Sequence, residues 1–396
     1  MRSQDGHPAT VLPGGTGARA VAAVLTALPR ALEGSGPALR VTDPQVATPP
    51  APVAPEGVAA LVATSGSTSG TGHLVALDGA GLVASARATS ARLSGPGQWV
   101  ACLPVHHVAG LQVLVRSVVA GTDPVVLDTS AGFRPGDLAA AVRRLRPDVP
   151  GYLSLVPTQL ARVMADDDAV AALRGLAAVL VGGARTSGAL LGAARDAGVP
   201  VVTTYGMTET GGGCVYDGVP LDGVDVDVDA DGRIWLAGPV LARGYLDDSA
   251  DRDTFQERDG RRWLRTNDRG SLDGGTLTVL GRLDDVVVTG GLNVSAAAVE
   301  QALGELPGAG EAVVVGVPDE HWGALVTVVV AGDDLPALGP VRAHVAARLG
   351  RHHAPRALVR LPELPLRGPG KVDRLAAART AAGLLAAADP RAERMP

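Results

Sequence analysis

The chain is short of cysteine, of clustered basic charge and of long apolar runs, and each shortage removes a class of protein. Two cysteines, Cys102 and Cys214, in 396 residues cannot build a disulfide framework or a zinc knuckle. A net charge of −6 with no block of Lys or Arg argues against a nucleic-acid surface. No apolar stretch approaches the roughly 20 residues that cross a bilayer, and Met1–Pro8 lacks the apolar core of a secretory signal, so a cytoplasmic location without membrane insertion is expected. What is abundant is Ala, Gly, Val and Arg, a bias of GC-rich coding that says little about chemistry. At roughly 150 residues per domain, the length predicts two or three domains.

Residues 1–55 are rich in Pro, Gly and Ala, with one helical stretch at Gly17–Leu32. A regular alternation follows. Val58–Ala63 reads as a buried strand, Asp78 as the N-cap of a helix through about Leu93, and Trp99–Leu103 as a strand. Val108–Ala120 is helical, Pro124–Leu127 a strand, Pro135–Leu145 a helix and Tyr152–Val156 a strand. Pro157 can open the next helix, where its missing N–H is not needed. Ala178–Val181 and Val201–Tyr205 are strands flanking a helix at Ser187–Ala197. This spacing predicts an α/β fold with doubly wound, mostly parallel sheets. After Gly211, short β runs at Val224–Val228, Arg233–Leu236 and Thr276–Leu280 alternate with Asp/Gly turns, which predicts a small antiparallel β subdomain. Beyond Gly281 come a strand at Val286–Val288, a helix at Ser295–Leu306, strands at Ala312–Val317 and Leu325–Val330, and a helix at Val341–Leu349. They make an α+β unit of about 110 residues, enough for a second domain. A boundary at Leu283 divides a large domain, 1–283, from a small one, 284–396. The Val286–Val288 run is expected to be core, and both chain ends to be frayed.

Five segments carry chemistry. Thr64-Ser65-Gly66-Ser67-Thr68-Ser69-Gly70-Thr71-Gly72-His73 packs hydroxyls and glycines after a strand, where N–H and O–H groups can converge on an anion; a flexible surface loop has the same composition. Tyr205-Gly206-Met207-Thr208-Glu209-Thr210 lies at the carboxyl end of a parallel strand, the edge where open α/β sheets bind ligands. A Thr hydroxyl beside a Glu carboxylate suits a phosphate and its Mg²⁺, although most such pairs are solvated turns. Trp263–Gly270 contains Asp268, able to accept both hydroxyls of a ribose. Gly281-Arg282-Leu283-Asp284-Asp285 leads into Thr289-Gly290-Gly291-Leu292-Asn293-Val294. Finally, Leu366-Arg367-Gly368-Pro369-Gly370-Lys371-Val372-Asp373-Arg374 carries a lysine on a glycine-rich loop.

In this order and spacing, over roughly residues 57–375, the chain resembles the adenylate-forming acyl/aryl-CoA synthetases. The resemblance implies a large domain and a small mobile one, with ATP, Mg²⁺ and coenzyme A as co-reactants. It assigns Thr64, Ser65, Gly66, Ser67, Thr68 and Gly70 to the ATP phosphates, and Gly183, Ala184, Tyr205, Gly206 and Met207 to the adenylate. Thr208 would touch phosphate, Glu209 would hold Mg²⁺, Asp268 and Arg282 would bind ribose, Asp284 would be the hinge and Lys371 the lysine of adenylation. Gly290 and Gly291 would line the path of the pantetheine arm.

A narrower likeness lies in Leu103-Pro104-Val105-His106-His107-Val108-Ala109-Gly110-Leu111 and on to Arg116-Ser117, and in Ser154–Leu160. These look like the corresponding segments of o-succinylbenzoate–CoA ligases of menaquinone biosynthesis. The likeness places His107, Arg116, Ser154, Gly182 and Gly183 around the acyl group. Arg116 would meet the carboxylate that does not react; without the resemblance it reads as an ordinary arginine on a partly solvated helix.

One departure stands out. Gly72-His73 occupies the place where the family's phosphate loop has Pro-Lys, which removes a fixed positive charge. ATP binding should be weaker for it, with activity retained. The alternatives are another acyl- or aryl-CoA ligase, a stand-alone adenylation domain, or a nucleotide-binding homologue with weak catalysis. Expected partners are small molecules, with a homodimer left open. His106-His107 and His352-His353 lack companion ligands for a metal, Arg143–Arg146 reads as a solvated helix face, and Cys102 reads as core.

Overall fold

The computed structural model describes residues 6–47, 49–64, 73–246, 253–283, 285–306, 308–309, 312–367 and 371–395, with the backbone alone at 367 and 371. The large domain is built on a seven-stranded sheet. Its spatial order is Val219–Pro220, Gly212–Tyr216, Val201–Met207, Ala178–Val181, Gly151–Leu155, Gln98–Ala101, Val125–Val126. The five strands from Val201–Met207 onward pair in parallel, and on the other side Gly212–Tyr216 and then Val219–Pro220 continue the sheet antiparallel. Parallel neighbours need long crossovers, which the helices between them provide. Because helices cover both faces, these strands read as continuous apolar runs: all four residues of Ala178–Val181 are buried.

A second sheet runs Gly244–Tyr245, Leu74–Asp78, Val58–Ala63, Leu39–Thr42, Thr10–Pro13. The helix Val108–Ala120 contacts the helices Ala18–Leu32 and Gly79–Arg92 and the strand Gln98–Ala101. It is buried at every position from Gly110 to Ser117, so its polar side chains Gln112 and Arg116 lie inside the protein. A third, antiparallel sheet joins Asp225–Val228, Arg233–Ala237, Arg261–Asp273 and Phe255–Arg258, with Thr276–Arg282 also on Arg261–Asp273.

The small domain has a four-stranded sheet of Val313–Asp319, Gly323–Ala331, Ala357–Leu361 and Ala392–Arg394, with the helices Ala296–Leu303, Leu338–Leu349 and Arg374–Ala386. Among the described residues, its buried clusters share no member with those of the large domain. No described helix is long and apolar enough to cross a membrane.

Three expectations fail, and a fourth holds in position only. Residues 1–55 are more than one helix with loops: Thr10–Pro13 and Leu39–Thr42 add parallel strands to the second sheet. Prolines and alanines hid them, since period-two patterning is weak in four residues. The carboxyl end is ordered as the helix Arg374–Ala386 and an edge strand paired with Ala357–Val359. The Val286–Val288 run is only half core: Val287 is buried, whereas Val286 and Val288 are exposed, because a two-stranded ribbon covers one face only. Asp78 does stand before the helix Gly79–Arg92 but makes no cap bond; its carboxylate pairs with Arg243 at 3.0 Å.

Cys102 and Cys214 are fully buried, and burial pushes both thiols up to about 12. Neither thiol ionises near neutrality, folded or unfolded. Above pH 9 the unfolded chain releases these protons and the folded one keeps them, so stability falls between about pH 9 and pH 12. Urea midpoints measured at pH 7 and pH 10.5 should separate further for the parent than for a Cys102→Ala/Cys214→Ala variant.

Candidate active site

The strand Val201–Met207 runs into a single turn of 3-10 helix, Thr208–Thr210, and the chain returns as Gly212–Tyr216. A Cβ on Gly206 would lie 2.1 Å from the carbonyl oxygen of Gly212, so only glycine allows the two strands to close here. Thr210, wholly buried, locks the bend: its hydroxyl accepts from the Met207 N–H at 2.9 Å and donates to the Gly212 carbonyl at 2.7 Å. Thr208 and Glu209 are thereby presented, half-buried, at the carboxyl edge of the parallel sheet.

Two tyrosines fix the acidic groups. The Tyr205 hydroxyl donates to Asp268 Oδ2 at 2.8 Å. Burial, reinforced by the Asp268 carboxylate, pushes that phenol well above its ordinary range. Asp268 stands opposite Arg282 in the register of Arg261–Asp273 and Thr276–Arg282, so the antiparallel subdomain delivers both to the Tyr205 edge. On the other side, the Tyr245 hydroxyl donates to Glu209 Oε1 at 2.6 Å. The Tyr245 ring lies 5.4 Å from that of His73, and His73 N–H donates to Thr64 Oγ1 at 3.0 Å. Thr64, His73 and Glu209 therefore share one neighbourhood through Tyr245.

Gly182, Gly183 and Ala184 follow the strand Ala178–Val181. A Cβ on Gly182 would strike Thr204 Oγ1 at 2.1 Å, while Gly183 and Ala184 are exposed. Ser154 is buried on the next strand, opposite Leu180, and its carbonyl accepts from the Cys102 thiol. His107 occupies the N-cap position of Val108–Ala120, its ring 4.3 Å from that of His106. His106 accepts the Gly15 N–H at 3.2 Å, and burial lowers its pKa, so this imidazole is a neutral structural acceptor.

Arg116 is 5% exposed, which disposes of the solvated-helix alternative. One guanidinium nitrogen donates to the Tyr216 hydroxyl at 3.2 Å, and the group lies over the Trp99 ring at 4.9 Å. Its Nε is buried with no partner among the described residues.

Gly290 and Gly291 form the turn between Val286–Thr289 and Leu292–Ser295, with Trp322 beside Gly290. Lys371 sits in a short hairpin opposite Arg367, and Arg374 beyond it donates to both oxygens of Glu300 at 2.7 and 2.9 Å. Ser65, Gly66, Ser67, Thr68, Gly70, Asp284 and the Lys371 side chain lie outside the described residues. Sequence reasoning missed the bracing roles of Tyr245, Tyr216 and Thr210; the scarcity of tyrosine, four in the chain, is a signal for the first two, whereas Thr210 was marked only by its place in the Tyr205–Thr210 segment.

The model of the AMP-binding enzyme family matches residues 13–246, and that of its C-terminal domain matches residues 298–371. The chain belongs to the AMP-binding enzymes. It is 46% identical over 375 residues, 92% of this chain and 96% of the relative, to a probable 2-succinylbenzoate–CoA ligase of Mycobacterium tuberculosis. An o-succinylbenzoate CoA synthetase from Bacillus subtilis, solved with its acyl-adenylate intermediate, superposes with a TM-score of 0.69 at 27% identity, covering 88% of this chain and 79% of that one. The same Bacillus enzyme solved with ATP and magnesium gives 0.70 at 25% identity over 93% and 88%.

Among the described residues, no three His, Cys, Asp or Glu side chains converge as a metal cage. Glu209 alone, with one oxygen held by Tyr245, suits a Mg²⁺ that is bound through one carboxylate and the phosphates of its nucleotide. In an AMP-binding enzyme, Tyr205→Phe removes the 2.8 Å hydrogen bond that fixes Asp268 Oδ2. Nucleotide affinity should fall about tenfold, or about 1.4 kcal/mol, as read by calorimetric titration with ATP.

Proposed function

We propose that the chain is an ATP-dependent 2-succinylbenzoate–CoA ligase working in two steps. The observation that carries this reading is the buried Arg116. It is a desolvated cation about two and a half turns past the N-cap His107, with its Nε unpartnered among the described residues, in a protein similar to ligases of a dicarboxylate. A substrate with two carboxylates leaves one unreacted, and that anion needs such a partner.

A carboxylate is a poor acyl donor because its leaving group would be oxide. In the first step a carboxylate oxygen attacks the α-phosphorus of ATP, the bond to the β-phosphate oxygen breaks, and pyrophosphate leaves. Thr64, Ser65, Gly66, Ser67, Thr68 and Gly70 cradle the phosphates with Thr208. Gly183, Ala184, Tyr205, Gly206 and Met207 border the nucleoside, and Asp268 and Arg282 hold its ribose. Glu209 would hold Mg²⁺, which neutralises phosphate charge when bound. His107, Ser154, Gly182 and Gly183 frame the acyl group. In the second step the thiol sulfur of coenzyme A attacks the acyl carbon, AMP departs with the bonding pair, and the thiol proton is lost to solvent.

Lys371 is the only lysine in the chain; the other 34 of its 35 basic residues are arginines. In a sequence that uses arginine everywhere else, one retained lysine points to a task for a compact point charge rather than a planar fork. We assign it to the charge developing on the phosphoryl oxygens. With the boundary at Leu283, rotation about Asp284 would then withdraw it and bring Gly290 and Gly291 to the pantetheine arm. A cytoplasmic site of action agrees with its need for ATP and coenzyme A.

His73 in the place of a lysine favours one rival, a nucleotide-binding homologue with weak catalysis. AMP release with 2-succinylbenzoate, benzoate and a medium-chain fatty acid, each with and without coenzyme A, decides between them: CoA-dependent turnover of the dicarboxylate alone is the expected result. Lys371→Ala should abolish formation of acyl-AMP and leave thioester formation from pre-made acyl-AMP largely intact; equal loss of both contradicts its role. Arg116→Ala should raise KM at least tenfold for the dicarboxylate and little for a monocarboxylate, as measured by pyrophosphate exchange.

A further inference from the structure

One polar side chain in the core has no employment in the fold. Gln112 is 1% exposed, yet neither its Oε1 nor its Nε2 has a hydrogen-bond partner among the described residues. A primary amide carries two donors and an acceptor with two lone pairs. Buried amides are almost always satisfied, because an unpaired one forfeits its hydration for nothing.

Its surroundings are equally unusual. Gln112 lies one turn before Arg116 on Val108–Ala120, so the two share a face. That face meets the strand Gly212–Tyr216, on which residues 212 and 216 also share a face. Arg116 meets the hydroxyl of Tyr216 there. From this segment Gln112 meets glycine: a Cβ on Gly211 would lie 3.6 Å from its Nε2, and one on Gly212 would lie 3.2 Å from its Cγ. Both glycines have positive φ, +61° and +116°, and they leave the Thr208–Thr210 turn directly. No side chain from this segment reaches the amide, and a larger residue at 212 would crowd it.

We propose that Gln112 is a specificity-determining residue that donates a hydrogen bond from Nε2 to the ketone oxygen of the acyl substrate. The inference rests on the dicarboxylate reading of Arg116 and extends it. In 2-succinylbenzoate the ring carboxylate and the ketone stand on adjacent ring carbons, so one helix face can address both. The charged guanidinium takes the charged group, and the neutral amide takes the neutral oxygen. A site built around a substrate carbonyl prefers it to an analogue without it, because only the carbonyl gives the buried amide the partner it lacks.

The test uses the whole enzyme and two acids, 2-succinylbenzoate and 2-(3-carboxypropyl)benzoate, in which a methylene replaces the ketone. The parent should favour the ketone by tenfold or more in kcat/KM, through KM. Gln112→Leu should lose that preference by weakening ketone binding while leaving the KM for ATP and the kinetics of the methylene acid within twofold. Equal handling of the two acids by the parent overturns the assignment without recourse to a variant that might misfold. So does a variant that loses both acids equally, which marks the amide as packing only. A parent inactive on both acids but active on a monocarboxylate removes the dicarboxylate reading itself, and the role of Gln112 with it.

Discussion

The nucleotide edge depends on one close approach, that of Gly206 to the carbonyl of Gly212, locked by the buried hydroxyl of Thr210. It lets the last parallel strand turn back on itself within four residues, so the turn projects Thr208 and Glu209 outward while Tyr205 stays against the sheet. Tyr205 then reaches sideways to Asp268 of the antiparallel subdomain, and Tyr245 reaches Glu209 from the second sheet. Three separately formed sheets are thus registered on one bend. A rigid scaffold holding charged groups in place is what phosphoryl chemistry requires, since such catalysis is mainly positioning and electrostatics.

The helix Val108–Ala120, proposed to meet the acyl group, obeys a different constraint. Val108–Ala120 is surrounded by apolar neighbours, and a helix in that position usually carries only apolar side chains. Here it carries a guanidinium and an amide. Trp99, Tyr216 and Thr89 compensate the first through a ring face and a chain of hydroxyls. Among the described residues, the amide has no such partner. Polar groups in a core cost stability unless they are satisfied, which is the physical basis for the proposal that this helix face meets the acyl substrate.

The motif segments were legible because they are local. The Tyr205–Thr210 and Leu366–Arg374 stretches have spacings that one sequence displays directly, and so does the alternation of strand and helix from Val58 to Val201. The expected parallel sheet, the antiparallel subdomain and the small α+β domain are all present. Legibility failed where the signal was short or cross-chain. Four-residue strands among prolines gave no periodicity, and the one-sided exposure of Val286 and Val288 follows from a ribbon having a single partner. Tyr245 lies 36 residues from Glu209, and no spacing rule links them.

Composition and order of residues alone determined the fold class, the five chemical segments and the singular lysine, because backbone propensity, apolar periodicity and residue type act over a few neighbours. Which polar groups are buried was decided only when the chain closed on itself. The burial of Arg116, the isolation of Gln112 beside two glycines, and the tyrosine braces on Asp268 and Glu209 arise from contacts between elements distant in sequence. Desolvation is a property of what surrounds a group in space, and no linear pattern encodes it.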